Sequence, residues 1–342
     1  MTFVLVGTGA LGRTFGTMLA AAGHPVLLIG RPSAAAALAR LETIHVRGAV
    51  ESSAPVRTGR PEPGAVTVGQ LGDELPRGAA VLFTTKAHQL AEAAKAVAPC
   101  WPADGDLTAW TAGFQNGLLT GDLLAETFGA ERVAGASTVL GARRAEDGAA
   151  VASVGMTYLG ELDGGRSERV DAAAAAFRDA GLPCDGAQDI RSVLWAKMCH
   201  AVAVFGISAL TGLPSAQIMA TRPLLHAYST LIAEAASVAW AAGIAIEDYP
   251  DLPMRTYLKL PASELADRLM AGRPAAASSA PPSFSSIAQD LAAGRPTEHD
   301  EIFGDLLRRA GRLGVEIPRI SLVRDLVAGI DPGTLEGRRH DA

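Results

Sequence analysis

Residues 2–30, TFVLVGTGALGRTFGTMLAAAGHPVLLIG, decide the fold of this chain. They begin with an uninterrupted apolar run, Thr2–Gly7, which is typical of a strand buried in a parallel sheet. A glycine turn and a helical segment, Gly9–Ala22, follow, and Gly23 stands where a helix C-terminal cap is expected. Because Pro25–Gly30 is a second apolar run, the stretch predicts a strand–helix–strand unit.

The same alternation continues along the first half of the chain. Apolar runs at Ala79–Thr84 and Asp106–Trp110 flank a helical segment, His88–Val97, which predicts a mostly parallel, doubly wound sheet. Three further strand-like segments are expected to extend that sheet at one edge, and one helix follows them: Val133–Gly141, Ala149–Gly155, Tyr158–Leu162 and then helix Val170–Ala180.

From Ile190 onward the strand signal disappears. Helices are predicted at Ile190–Leu210, Arg222–Ala242, Ala262–Ala271, Phe284–Ala293 and Thr297–Leu313. The apolar stretch from Val193 contains Lys197 and His200, so it predicts a buried helix rather than a membrane span. The fold prediction is therefore α/β, with a Rossmann-type dinucleotide-binding domain at 1–187 and an all-α domain at 188–342.

Composition narrows the class of protein. The 342 residues are 49% hydrophobic and carry a net charge of −6, which suits two cores and argues against a nucleic-acid binder. The N-terminus lacks the basic segment of a signal peptide. Cys100, Cys184 and Cys199 show no CxxC spacing and are predicted to be buried thiols of a reducing compartment. We expect a cytoplasmic protein with no metal site and no membrane partner; a homodimer is left open.

The first chemical motif is a glycine loop, Gly7-Thr8-Gly9-Ala10-Leu11-Gly12. This G-x-G-x-x-G follows a predicted strand and opens a predicted helix, the context that a dinucleotide-binding loop requires. Its first glycine permits the tight turn, the second lets the backbone approach a pyrophosphate, and the third lets the helix pack on the strand. A plain glycine turn is the alternative, and the context favours the nucleotide.

Arg31 is the second motif. It follows the second strand directly, where NAD-binding chains usually carry an acidic residue for the ribose 2′-hydroxyl. An arginine there can bind a 2′-phosphate instead, so the sequence favours NADP(H) over NAD(H). A surface arginine in a turn is the competing interpretation.

Two polar groups follow later strands. Lys86 lies in the segment TTKAHQ and Asn116 in QNG, and both are predicted at the carboxyl edge of the sheet, where ligands bind in this architecture. Lys86 could contact the cofactor or attract an acidic substrate, but a solvated lysine at a helix start is equally compatible. Asn116 could bond a ribose or a substrate oxygen, although Asn-Gly is also a common turn pair.

The helical half offers three more candidates. Lys197 on its apolar helix must either extend to solvent or face a pocket, where desolvation makes a lysine a usable proton donor. His200, one turn further on, could be a partner of Lys197, but a core histidine with its own hydrogen bond is favoured. In RPTEHDEI, Thr297 fits a helix N-cap with Asp300, which places Glu298 in the first turn. A plain capping glutamate is the alternative.

The ordered set GTGALG, Arg31, TTKAHQ, QNG, LWAKM, SFSSIAQD and RPTEHDEI resembles the ketopantoate reductase (2-dehydropantoate 2-reductase) family over nearly the whole chain. The resemblance implies NADPH-dependent reduction of a 2-keto acid to a 2-hydroxy acid, a step of pantothenate biosynthesis. It assigns the cofactor to Gly7, Gly9, Gly12, Arg31 and Lys86, the nicotinamide end to Asn116, the general acid to Lys197, the substrate carboxylate to Ser286, and the ribose and substrate hydroxyl to Glu298.

Three positions depart from the family pattern, and one of them is Ser215, which aligns with a further family asparagine. Ala201 and Phe205, four and eight residues after the lysine, stand where the family carries substrate-facing asparagines. They predict a less polar pocket, so a mandelate-type D-2-hydroxyacid dehydrogenase acting on a bulkier, hydrophobic 2-keto acid is one alternative. A catalytically silent NADPH-binding sensor is another. The segment Gly272–Pro282 is predicted to be a loop that could reshape the pocket entrance.

Overall fold

The computed structural model describes residues 1–101, 108–271 and 282–335. These residues form two compact units. The first contains Met1–Gln115 and Leu119–Arg191, and the second contains Asn116–Leu118 and the described part of Ser192–Ala342. The predicted loop Gly272–Pro282 lies outside the described residues except for its last residue, and so do the first two residues of the predicted strand Asp106–Trp110.

The first unit alternates strands and helices. Its strands are β1 Phe3–Val6, β2 Val26–Gly30, β3 Thr43–Gly48, β4 Ser52–Arg57, β5 Val66–Gln70, β6 Ala80–Phe83, β7 Trp110–Gly113, β8 Ala134–Thr138, β9 Gly141–Ala145, β10 Gly148–Ser153, β11 Thr157–Glu161 and β12 Cys184–Gly186. Its helices are α1 Ala10–Ala21, α2 Pro32–Leu38, α3 Ala87–Val97, α4 Leu119–Phe128 and α5 Glu168–Asp179.

A parallel sheet lies at the centre of this unit. The strand order is β7-β6-β1-β2-β5-β4-β3-β10-β9, and the neighbours from β7 to β4 are parallel. Strands β1, β2 and β6 are buried along their whole length, because a sheet covered on both faces needs apolar side chains on both. Their carboxyl ends meet at one edge, which is where the glycine loop begins.

The strand predictions after residue 130 need a correction. Strand β10 does extend the main sheet at one edge, where it pairs with the unpredicted β9, but β8 and β11 form a separate sheet with β12. That sheet adjoins β7 through a bridge between Thr111 and Val133. Strand β7 begins at Trp110, where the predicted strand ended. It pairs with β6, Ala80 opposite Trp110 and Phe83 opposite Gly113.

The second unit is helical. Its helices are α6 Ile190–Thr211, whose first two residues belong to the first unit, then α7 Ser215–Ile218, α8 Arg222–Ala241, α9 Met254–Leu258, α10 Ala262–Ala271, α11 Ser286–Ala292, α12 Asp305–Leu313 and α13 Pro318–Ile330, with a π-helical turn at Asp300–Gly304. The all-α prediction misses one short hairpin, in which β13 Asp248–Tyr249 pairs with β14 Leu252–Pro253.

Helix α6 is the described helix that is long and apolar enough to cross a membrane by length and composition. Most of it is buried inside the protein, which agrees with the prediction of a buried helix. Cys199 on this helix and Cys184 are also buried, and burial raises the pKa of each thiol to about 12. Cys100 is partly exposed, so the prediction of a buried thiol is wrong there.

Candidate active site

The three glycines of the loop have different reasons to be glycine. Gly7 has φ +125°, and a Cβ on it would lie 2.8 Å from the backbone N of Thr85. A Cβ on Gly12 would lie 2.0 Å from the carbonyl oxygen of Gly7, so helix and turn pack too closely for a side chain. These two positions are glycine because the protein itself leaves no room.

Gly9 is different, because the protein does not demand a glycine there. Its φ is −72°, which any residue adopts, and a Cβ would meet no atom closer than the carbonyl oxygen of Thr84 at 4.0 Å. Gly9 is exposed and caps α1 without a side-chain bond, and the first turn of α1 carries no acidic residue. Open space before the free N–H groups of a helix fits a phosphate group that approaches from outside.

Two residues that the sequence did not single out hold the glycine loop and the strand ends beside it. The Thr84 hydroxyl donates to the carbonyl oxygen of Gly7 at 3.0 Å. The Gln115 side-chain amide donates to the carbonyl oxygens of Phe83 and Thr85 at 3.1 and 3.0 Å, so it joins the ends of β6 and β7. Their signal was position, since each is a polar residue just after a buried strand. Lys86 follows, partly exposed, at the start of α3.

Arg31 lies directly after β2, beside the glycine loop. It is exposed, and it begins α2 by accepting bonds from the backbone N–H groups of Ala34 and Ala35. The preceding Gly30 has no room for a Cβ, which would lie 2.5 Å from a methyl carbon of Thr8. The glycine loop and the end of β2 therefore touch, and Arg31 follows directly at that end.

Lys197 lies on α6 in the second unit and is partly buried. Burial lowers the pKa of this lysine to about 8, and the nearby Glu298 carboxylate opposes part of the shift.

His200, one turn further on, pairs through Nδ1 with the Tyr228 hydroxyl at 2.9 Å. Burial and the charge of Lys197 lower the pKa of His200 to about 4, so it stays neutral at physiological pH. The prediction that His200 has its own partner is confirmed, although the residue is partly exposed rather than fully in the core.

Three more of the predicted residues form a chain of contacts in the same unit. The Asn116 amide donates to the Ser286 hydroxyl at 3.5 Å, and that hydroxyl donates to Glu298 Oε2 at 3.5 Å. Both are long bonds. Ser285 is used differently, because its hydroxyl caps α11 by accepting from the N–H of Ala288. The structure thus brings Asn116, Ser286, Glu298 and Lys197 to one place.

The segment that carries Asn116 is anchored on this unit. A Cβ on Gly117, whose φ is +100°, would lie 2.6 Å from the carbonyl oxygen of Glu301. The Arg309 guanidinium donates to the carbonyl oxygen of Leu118 at 3.2 Å. Asn116 therefore belongs to the helical unit, although the strand before it belongs to the sheet.

The contacts around Glu298 differ from the predicted helix N-cap. The Thr297 hydroxyl pairs with His299 Nδ1 at 3.1 Å instead of capping a helix, so the capping-box prediction is wrong. The backbone N–H of Thr297 donates to Asp331 Oδ2 at 2.9 Å. Glu298 precedes the π-helical turn, and its carbonyl oxygen accepts from the N–H of Ile302. Asp331 is a residue that sequence reasoning missed, since it lies far from Glu298 along the chain.

Ala201 and Phe205 follow Lys197 at the spacing of one helix face. Ala201 is 3% exposed, and Phe205 is partly exposed. Ala201 therefore lies about one helical turn from Lys197 and Phe205 about two turns from it, and both side chains are apolar.

Comparison with known proteins follows the same division of the chain. The family model "Ketopantoate reductase PanE/ApbA" matches residues 3–164, and "Ketopantoate reductase PanE/ApbA C terminal" matches residues 189–331. A 2-dehydropantoate 2-reductase of Halobacterium salinarum is 27% identical over 332 residues, which is 96% of this chain and 98% of that protein.

Solved structures agree on the fold. A PanE/ApbA family ketopantoate reductase from Ralstonia eutropha JMP134 aligns with a TM-score of 0.73 and 25% identity, over 98% of this chain and all of that one. A D-mandelate dehydrogenase, solved with NADH and anilino(oxo)acetate, aligns with a TM-score of 0.78 and 19% identity, over 98% and 99% of the two chains. The chain belongs to the ketopantoate reductase family, a family of oxidoreductases.

Proposed function

We propose that this protein reduces a 2-keto acid to a 2-hydroxy acid with NADPH. The observation that carries the proposal is the placement of the Lys197 ammonium beside Glu298, with Ser286 donating to the same carboxylate and Asn116 donating to Ser286. A bound nicotinamide would supply the hydride. If the acid is ketopantoate, the reaction is a step of pantothenate biosynthesis.

Each of these side chains has a proposed role. Lys197 protonates the substrate oxygen as negative charge develops there, because a pKa of about 8 lets it give up a proton near neutral pH. Ser286 donates to the substrate carboxylate, and Asn116 orients the nicotinamide end of the site. Glu298 stabilises the charged form of Lys197 and accepts a bond from a substrate or ribose hydroxyl.

The nucleotide side rests on the first unit. The open space at Gly9 and the free N–H groups of α1 suit the pyrophosphate, and Thr8, Ala10 and Leu11 complete the turn. Arg31 is proposed to bind the 2′-phosphate, and Lys86 to bind the cofactor near the end of β6. An exposed arginine beside the loop, in place of an acidic residue, supports NADPH over NADH.

Two glycine variants test nucleotide binding. Gly9→Ala should leave the melting temperature unchanged, since its methyl group meets no protein atom closer than 4.0 Å. It should weaken NADPH binding by about tenfold, because the methyl group occupies the space meant for the pyrophosphate. Gly12→Ala is the matched control for packing. Its methyl group has no room, so this variant, unlike Gly9→Ala, should also lower the melting temperature. Unchanged NADPH affinity in Gly9→Ala would contradict the proposed loop function.

The proposed acid gives a defined pH dependence. Reduction requires protonated Lys197, so kcat/KM for the keto acid should be constant at low pH and fall as pH rises through about 8. Oxidation of the hydroxy acid requires the neutral amine and should rise over the same range. Glu298→Gln removes the charge that raises the lysine pKa, so the reduction profile should shift to lower pH. A profile that stays level from about pH 6 to 10, where an ordinary lysine remains charged, contradicts the assignment.

The identity of the acid has a second candidate. Ala201 and Phe205 favour a bulkier, hydrophobic 2-keto acid, and a D-mandelate dehydrogenase shares the fold. Ketopantoate should be compared with branched and aromatic 2-keto acids by kcat/KM. A preference for the aromatic acids assigns the mandelate type, a preference for ketopantoate assigns the biosynthetic role, and NADPH binding with no turnover on any of them supports the silent sensor.

A further inference from the structure

Arg13 is a buried cation at the glycine loop that the proposed reaction does not use. It stands in the first turn of α1, directly after Gly12, and is 7% exposed. Burial lowers the pKa of this guanidinium, the charge of Arg144 lowers it further, and Asp147 opposes both effects. A guanidinium stays charged in proteins, so one withdrawn from water needs polar partners.

The hydrogen-bond acceptors of Arg13 among the described residues are backbone carbonyl oxygens in two places. Nε donates to the carbonyl oxygen of Thr8 at 3.0 Å. Nη1 donates to the carbonyl oxygens of Ala145, Glu146 and Gly148 at 2.9, 3.3 and 3.2 Å, in the turn between β9 and β10. One side chain thus fastens the glycine loop to an edge hairpin of the sheet.

The hydrogen bond from Arg13 to the carbonyl oxygen of Thr8 orients a whole peptide group. The Thr8 carbonyl and the Gly9 N–H belong to the same peptide group, which is planar and trans. The two groups therefore point in opposite directions, and a guanidinium that holds the Thr8 oxygen sets the direction of the Gly9 N–H. Gly9 is the loop residue with open space around it, so its N–H is the donor that a phosphate would meet.

We propose that Arg13 is a positioning residue of the nucleotide site: it orients the Gly9 N–H toward the pyrophosphate by clamping the Thr8 carbonyl against the β9–β10 turn. This inference rests on the proposed NADPH binding. It assigns no contact between Arg13 and the nucleotide, and it predicts that geometry, rather than the positive charge alone, is what the loop needs.

Arg13→Met keeps the apolar stem and removes every donor. NADPH titrated into the purified protein should bind about tenfold more weakly, and the KM for NADPH should rise while the KM for the keto acid stays within about twofold. In the nucleotide-free protein, amide hydrogen exchange across residues 7–12 should become faster. Arg13→Lys keeps the charge, but one ammonium cannot serve both Thr8 and the turn, so its affinity should also fall.

Arg169→Met is the matched control. Arg169 lies in the same unit and donates to both carboxylate oxygens of Glu161, away from the glycine loop. Its loss should lower the melting temperature and leave NADPH affinity and exchange at residues 7–12 unchanged. Wild-type affinity in either Arg13 variant, or an equal loss in Arg169→Met, overturns the proposal. If the wild-type protein binds no NADPH, that result contradicts the proposed function. Amide hydrogen exchange at residues 7–12 in the Arg13 variants then still shows whether Arg13 orders the glycine loop.

Discussion

Lys197→Ala should reduce kcat for keto-acid reduction by about 10²–10⁴-fold, the range for loss of a positioned general acid. Without the ammonium group, the oxygen that receives negative charge during hydride transfer has no proton donor on α6, since His200 is neutral and bonded to Tyr228. The measurement is steady-state consumption of NADPH with the best acid of the substrate comparison. NADPH affinity should stay close to that of the wild type.

The variant should remain folded, because it removes a charge that burial disfavours. Lys259→Ala is the matched control, since Lys259 is an exposed lysine of the same unit at the end of α9 and should leave kcat unchanged. Near-normal turnover in Lys197→Ala, with the control behaving as expected, would remove the lysine from the mechanism.

Arg31→Ala should reduce kcat/KM with NADPH by about 10–10²-fold and leave kcat/KM with NADH unchanged. The estimate follows from losing bonds between a guanidinium and a phosphate, worth about 1.5–3 kcal/mol, at about 1.4 kcal/mol for each factor of ten. Because NADH lacks the 2′-phosphate, it serves as the internal reference. The ratio of the two specificity constants is the quantity to measure.

Arg60→Ala provides the control for a general change in charge. Arg60 is exposed in the same unit, and its carbonyl oxygen accepts from the hydroxyl of Thr67. Thr67 pairs with Leu27 near the start of β2, whereas Arg31 follows the last residue of that strand. Its variant should not change the ratio. An unchanged ratio in Arg31→Ala contradicts the NADPH preference but leaves the keto-acid chemistry intact.

The strands and helices that depend on local sequence pattern were predicted most accurately. Strands β1 and β2 and helix α1 lie within two residues of their predicted limits, because continuous apolar runs and a glycine turn carry their own signal. Strands β3, β4, β5, β9 and β12 were missed, and β3 and β4 show why. In β3 the buried Ile44 and Val46 alternate with more exposed residues, and β4 contains Pro55, so both depend on pairing partners elsewhere in the chain.

The candidate site divides in the same way. Ser286 and Glu298 were proposed because their order along the chain resembles a family, whereas Lys197 also stood out as a lysine on an apolar helix. Asp331 and Arg13 were not found, since each acts through backbone atoms that only the folded chain brings near. The error at Thr297 has the same origin, because a histidine two residues away competes for its hydroxyl.

The anchoring of Asn116–Leu118 on the helical unit has a consequence for modularity. A cut in the linear sequence near residue 188 separates most of the two units, but it leaves these three residues with the wrong half. A chimaera that exchanges only the C-terminal half between family members would combine the Ser286 and Glu298 of one parent with the Asn116 of the other. Recombination that keeps Asn116 together with Ser286 and Glu298 therefore needs, besides the crossover near residue 188, a pair of crossover points around residues 116–118.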